Sequence, residues 1–147
     1  MKTTLDNFYK KWNGKTLDDC GRSVSSEYNA YQNSLNRCMR AIAKDLGAEV
    51  VHFTKGHYFE SIVFHRNGHY VYLHHEDLDR THIDLNNNSP KNNPHYQNNG
   101  YRMRSWYIRT MAHATDWRGG YNEFAFNWSN LTETIDKFLN MEHKSAF

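Results

Sequence analysis

The dipeptide Asn67-Gly68 lies between two segments in which apolar and polar residues alternate, Phe59 to Arg66 and His69 to His74. A two-residue type I′ turn needs φ > 0 at both central positions, which Asn and Gly supply, and its twist matches that of the strands it joins. The dipeptide therefore predicts a β-hairpin and sets its register, with Arg66 opposite His69, Phe64 opposite Val71 and Ile62 opposite Leu73. Side chains alternate across a strand, so these pairs make one apolar face, while Phe59, Ser61, Val63, His65, Tyr70, Tyr72 and His74 make the other. If Lys55-Gly56 turns the preceding strand in the same way, Val51 and Phe53 join the apolar face, and Val50, His52 and Thr54 join the second. Antiparallel sheets commonly leave one face toward water. The second face reads either as a solvated aromatic surface or as the floor of a site.

Helical spacing flanks this meander. Tyr28, Tyr31, Leu35, Cys38, Met39, Ile42 and Leu46 recur at steps of three and four, which predicts a long amphipathic helix at about 26 to 46, capped by Ser25 or Ser26 and ended by Gly47. Leu5, Phe8, Tyr9 and Trp12 predict a short first helix packing as a lid. Asn130 with Glu133 reads as a capping box ahead of the stripe Leu131, Ile135, Phe138 and Leu139. Ser105 to Ala112 and Glu123 to Asn127 read as strands, and Gly119-Gly120 as the turn that returns the second to the sheet. Residues 86–100 hold seven Asn and both prolines with no apolar period, the composition of a flexible loop. The expectation is α+β: helices on one face of an antiparallel sheet of about five strands, in the order ααβββ-loop-ββα.

At 147 residues the chain matches the usual size of one domain, and the span 1–147 reads as a single core without metal or disulfide support. Aromatic residues make up 15% of it, so that core should be ring-rich. A formal charge of +2 is too small to indicate a phosphate-tracking surface. Cys20 and Cys38 lack metal-type spacing, the N-terminus lacks the apolar stretch of a signal peptide, and no run approaches the roughly 20 apolar residues of a membrane span. These readings point to a cytoplasmic protein with no membrane association.

Three groups of residues have the chemistry for a site. The triplets His52-Phe53-Thr54 and His113-Ala114-Thr115 each send an imidazole and a hydroxyl to one face of a strand. Facing one another, His52 and His113 would act as base and acid on a phosphodiester held by Thr54 and Thr115, an arrangement that resembles the 2H phosphoesterases. The run from His74 to Asp84 gathers three imidazoles and four carboxylates. Adjacent strand residues point to opposite sides, however, so His74 and His75 do not reach one ion, and neither metal nor cofactor is called for. Finally, Arg102, Arg104, Trp106, Tyr107, Arg109, Trp117, Arg118 and Tyr121 interleave guanidinium groups with rings. Such a patch stacks bases and tracks phosphates, or anchors a protein partner, or divides into core rings and solvated arginines.

The segment Ile108-Arg109-Thr110, with His113, Asp116, Gly119-Gly120 and Asn122, resembles a pattern of small uncharacterised proteins from plasmids, conjugative elements and phages of Gram-positive bacteria. That resemblance implies an intracellular protein of a mobile genetic element that binds and blocks a host defence nuclease complex, in the manner of anti-CRISPR or anti-restriction inhibitors. The missing catalytic motif and the exposed-looking aromatics of 101 to 121 point to that patch as a protein-contact surface rather than to catalysis. The phosphoesterase reading and a nucleic-acid-binding accessory role stand as the alternatives.

Overall fold

The computed structural model describes residues 2–17, 26–56, 59–76, 83–86, 106–116, 120–123 and 127–144. Helices α1 (Lys2–Trp12) and α2 (Ser26–Asp45) precede strands β1 (Glu49–Lys55), β2 (Phe59–Arg66), β3 (His69–Glu76), β4 (Trp106–Met111) and the two-residue β5 (Asn122–Glu123). A 3-10 turn (Trp128–Asn130) leads into α3 (Leu131–Leu139). The class is α+β. Among the described residues, four substantial strands and the short fifth pair in chain order, β1-β2-β3-β4-β5, each antiparallel to its neighbour.

The hairpin forms as the sequence requires. Asn67 and Gly68 have φ of 52° and 79°, and Arg66 pairs with His69, Phe64 with Val71 and Ile62 with Leu73. Ile62, Phe64, Val71, Leu73, Trp106 and Ile108 share one buried cluster with Tyr31, Leu35, Met39 and Ile42 of α2 and Leu131, Ile135 and Phe138 of α3. The helices therefore cover this face of the sheet. α1 lies on α2 and adds Phe8 and Trp12, with Phe8 stacked on Trp128 at 5.2 Å. Helix α2 stops where predicted, Ala48 N–H closing on the Ala43 carbonyl at 2.8 Å around Gly47.

β1 departs from the expected pattern. Val50 pairs with Phe64 but His52 pairs with Val63, so Val51 is an inserted residue at a bulge. Val50, not Val51, consequently joins Phe53 against the core, while His52 and Thr54 lie on the second face as expected. The β1–β2 connection is also longer than two residues, since Lys55 pairs with Glu60. A Cβ on Gly56 would overlap the end of the Phe59 ring, which would have to shift to admit it.

Two expectations at the C-terminal end are corrected. Of the strand foreseen at Glu123 to Asn127, Glu123 is in β5 (Asn122–Glu123), Asn127 is in no strand, and residues 124–126 lie outside the described residues. The Asn130 side chain does not cap α3; its Oδ1 turns back to accept from Asn127 N–H at 2.8 Å, around the 3-10 turn. Of the segment 86–100 only Asn86 is described, and it is fixed: its Nδ2 donates to Tyr9 Oη at 2.9 Å and its Oδ1 accepts from Trp128 N–H at 3.3 Å. The rest of that loop and Gly119 lie outside the described residues.

Gly120 has φ of 83°, and a Cβ there would come within 2.4 Å of Thr110 Oγ1 and 2.8 Å of the His143 ring. Its N–H donates to Lys144 O at 3.0 Å, which ties the segment after α3 to the end of the sheet. Gly120→Ala should cost about 1–3 kcal/mol from backbone strain plus this overlap. Thermal melting checks it, and a midpoint equal to that of the unmodified protein would show that the turn relaxes without cost.

Candidate functional site: the second face of the sheet

The face opposite the helices is built from alternating positions of four strands. Its rows follow from the register: Glu49, His65, Tyr70 and Met111; then His52, Val63, Tyr72 and Arg109; then Thr54, Ser61, His74 and Tyr107; then Phe59 and Glu76. None of these belongs to the core cluster. All the rings that the hairpin pattern assigned to this face are on it.

Rows three and four form one connected group. His74 is sandwiched between Phe59, with centroids 5.3 Å apart and planes at 15°, and Tyr107, at 4.9 Å and 23°. The sandwich leaves His74 8% exposed and fixes the plane of its ring. Within that plane Nε2 lies 2.6 Å from Glu76 Oε1 and Nδ1 lies 3.1 Å from Tyr72 Oη. A carboxylate accepts, so Nε2 carries the proton that reaches Glu76; in the neutral ring Nδ1 then accepts from the Tyr72 hydroxyl. Tyr107 packs on Tyr72 at 5.8 Å, and its own hydroxyl is held well above the ordinary tyrosine range. Burial is the main cause, followed by the charge and hydrogen bond of the Tyr72 hydroxyl, against a smaller opposing pull from Arg109.

A second carboxylate–imidazole pair occupies the other end of the face. His65 stacks on Tyr70 at 4.5 Å, its Nε2 accepts from Gly68 N–H at 3.3 Å, and its Nδ1 faces Glu49 Oε1 at 3.0 Å. Both acids of the face thus stand against histidines of the same strand or its neighbour. Beyond Tyr70 and Met111 the surface dips into a cleft of about 400 Å³, bordered also by Gly68, His69, Met141 and His143.

The interleaved patch read from the sequence is divided by the sheet. Tyr107 and Arg109 lie on this face and Tyr121 is 52% exposed. Trp106 is not a contact residue. It occupies the opposite face, completely buried, where its Nε1–H donates to Leu85 O at 2.9 Å. Alternation alone separates Trp106 from Tyr107. Arg102, Arg104, Trp117 and Arg118 lie outside the described residues.

The paired His-x-Thr arrangement is not assembled. His52 and Thr54 are on β1, whereas His113 and Thr115 follow β4 in a tight turn, with Thr115 N–H directed at His113 Nδ1 and His113 bridged to Asp116. β2 and β3 intervene. Three strand spacings separate the two imidazoles by roughly 14 Å before any offset along the strands, too far to share one phosphate.

The same alternation parts His74 from His75. His75 is completely buried in the core, Nδ1 3.1 Å from Glu60 Oε1 and Nε2 3.2 Å from Asp84 O. Glu60 is equally buried and accepts from Gln32 Nε2 at 2.9 Å and Tyr28 Oη at 3.5 Å. Sequence reading missed this pair, although extending the hairpin register by one more step places Glu60 opposite His75 on the apolar face. Among the described residues no three His, Cys, Asp or Glu side chains gather as a metal set, and no helix is long and apolar enough to cross a membrane. Burial pushes the Cys38 thiol up to about 12, which leaves it un-ionised and inert as a nucleophile at neutral pH. No protein-family model, curated protein or solved structure matches this chain.

Proposed function

We propose that this is a binding protein that engages a protein partner through the second face of its sheet. The composition of that face carries the reading. Phe59, Tyr70, Tyr72 and Tyr107, all partly exposed, supply apolar area, Arg109 is its one permanently charged base among the described residues, and its two carboxylates stand against His65 and His74. Rings and arginine with few uncompensated charges are what the centres of protein interfaces are made of. The cleft beside Tyr70 and Met111 offers a recess for one anchoring side chain of the partner. A surface that tracks a nucleic-acid backbone would instead carry a series of Lys and Arg.

The partner class comes from the resemblance of the 108 to 122 segment to mobile-element proteins: a host defence nuclease complex, blocked by contact in the manner of an anti-CRISPR or anti-restriction inhibitor. The test is capture of purified host CRISPR and restriction complexes on the immobilised protein. Capture should fall at least tenfold for Tyr70→Ala combined with Arg109→Ala, two side chains of this face, and stay unchanged for Arg37→Ala on the exposed side of α2. A folded protein that retains none of these complexes, or a double variant that captures as well as the original, would rule the proposal out.

A further inference from the structure

The hydrogen bonds around Tyr72 run in one direction. Glu76 holds the Nε2 proton of His74, which leaves Nδ1 to accept the proton of the Tyr72 hydroxyl at 3.1 Å. A hydroxyl, a base within hydrogen-bond reach and a carboxylate that orients the base are the three parts of an activated nucleophile. The ring sandwich of Phe59 and Tyr107 keeps His74 in the plane this requires. Arg109 is directly across from Tyr72 on β4. Its charge reaches the Tyr107 hydroxyl, which in turn bonds to Tyr72. A phenolate formed at Tyr72 would therefore have the Tyr107 phenol beside it and Arg109 at the paired position of the neighbouring strand. Guanidinium geometry favours the paired oxygens of a phosphate.

We propose that Tyr72 is a nucleophile toward a single phosphodiester, with His74 as its general base, Arg109 holding the non-bridging oxygens and Glu76 as the positioning residue behind His74. In the step, Tyr72 Oη attacks phosphorus while its proton passes to His74 Nδ1. The Oη–P bond forms, the P–O bond to the leaving group breaks, and an alkoxide leaving group takes the proton back from His74. The product is a tyrosyl phosphodiester, which the reverse reaction with a hydroxyl acceptor resolves. No electron transfer is involved. One guanidinium suits one diester, a nucleotide linkage or strand end, rather than a tracked duplex. This goes beyond the partner-binding reading and does not depend on it.

The experiment uses the full chain and bis(p-nitrophenyl) phosphate, whose leaving group departs as a coloured anion without needing the proton. A burst of one p-nitrophenolate per protein is expected, with the nitrophenyl phosphoryl group mapped by mass spectrometry to Tyr72. Tyr72→Phe should abolish both. His74→Gln should slow the burst roughly 10²-fold with its amplitude retained, and Glu76→Gln should also slow it at full amplitude, a split that mere unfolding would not give. The proposal is overturned if no adduct maps to Tyr72, if release persists in Tyr72→Phe, or if His74→Gln forms the adduct at the original rate. Should Tyr72→Phe fail to fold, the mapped site and the His74→Gln rate decide. Adduct formation without capture of any nuclease complex, or capture without the adduct, distinguishes failure here from failure of the partner reading.

Discussion

Glu60→Ala should be among the most destabilising single substitutions in this protein, lowering the unfolding free energy by about 3–5 kcal/mol. Glu60 and His75 are both 0% exposed, inside a core made mostly of rings and aliphatic chains. Carboxylate and imidazole Nδ1 lie within hydrogen-bond distance at 3.1 Å, with the Tyr31 hydroxyl 3.3 Å from the same nitrogen, and the second imidazole nitrogen meets the Asp84 carbonyl at 3.2 Å. Removing Glu60 therefore takes the carboxylate from His75, whose Nδ1 still meets the Tyr31 hydroxyl at 3.3 Å, and takes one acceptor each from Tyr28 and from Gln32, which keeps Gly56 O. Those losses, rather than the intrinsic worth of an ion pair, set the size of the effect, because taking charged groups out of water costs nearly what their attraction returns. The double replacement Glu60→Leu with His75→Phe should recover part of the loss, and only part, since Gln32, Tyr28 and Tyr31 each lose one hydrogen-bond partner. Urea unfolding of the two variants measures both. A Glu60→Ala loss under about 1 kcal/mol would mean that water or a neighbouring group replaces the carboxylate at little cost.

How far the sequence showed this architecture depends on how local each determinant is. The β2–β3 hairpin was legible because its turn chemistry and its alternation agree, and both reside within about one strand length of Asn67. Helix α2 was legible for the same reason, its stripe and its terminal Gly47 being local. The bulge at Val51 was not. Val50 and Val51 are chemically equivalent, and which of them meets the core is decided by pairing with β2, sixteen residues from Glu49 at its partner His65. The misplaced cap has a similar origin: Asn130 fits equally as the start of α3 or as the end of the preceding turn, and packing of Trp128 into the core selects the turn.

The second face was legible as a list of side chains and not as a site. Alternation placed Tyr72 and His74 together, but the role of Glu76 depends on β3 continuing two residues further than the apolar pattern, and that of Tyr107 and Arg109 on which strand neighbours β3. Nothing in the intervening sequence specifies that β4 docks there. The same nonlocal fact undid the paired His-x-Thr reading, because triplets that look alike in sequence sit on strands separated by two others.

Trp106→Ala should cost about 3–5 kcal/mol, the range for deleting a large buried ring. Trp106 has the largest fully buried side chain of the described residues. Its ring packs 4.4 Å from His75 and 6.1 Å from Trp128, so the cavity left by alanine would open onto the Glu60–His75 pair as well as onto the aromatic cluster under α1. The indole N–H itself contributes less. Leu85 O accepts from Trp128 N–H at 3.1 Å in addition to Trp106 Nε1, so the carbonyl keeps a donor when the indole is lost. Trp106→Phe should accordingly cost much less than Trp106→Ala, about 1–2 kcal/mol for the missing volume. Calorimetric unfolding of both variants tests the ordering, and partner capture at a temperature where both stay folded should be unchanged. If Trp106→Ala instead lowered capture while leaving the melting midpoint in place, Trp106 would be a contact residue after all, and the division of the 101 to 121 patch between the two faces of β4 would have to be abandoned.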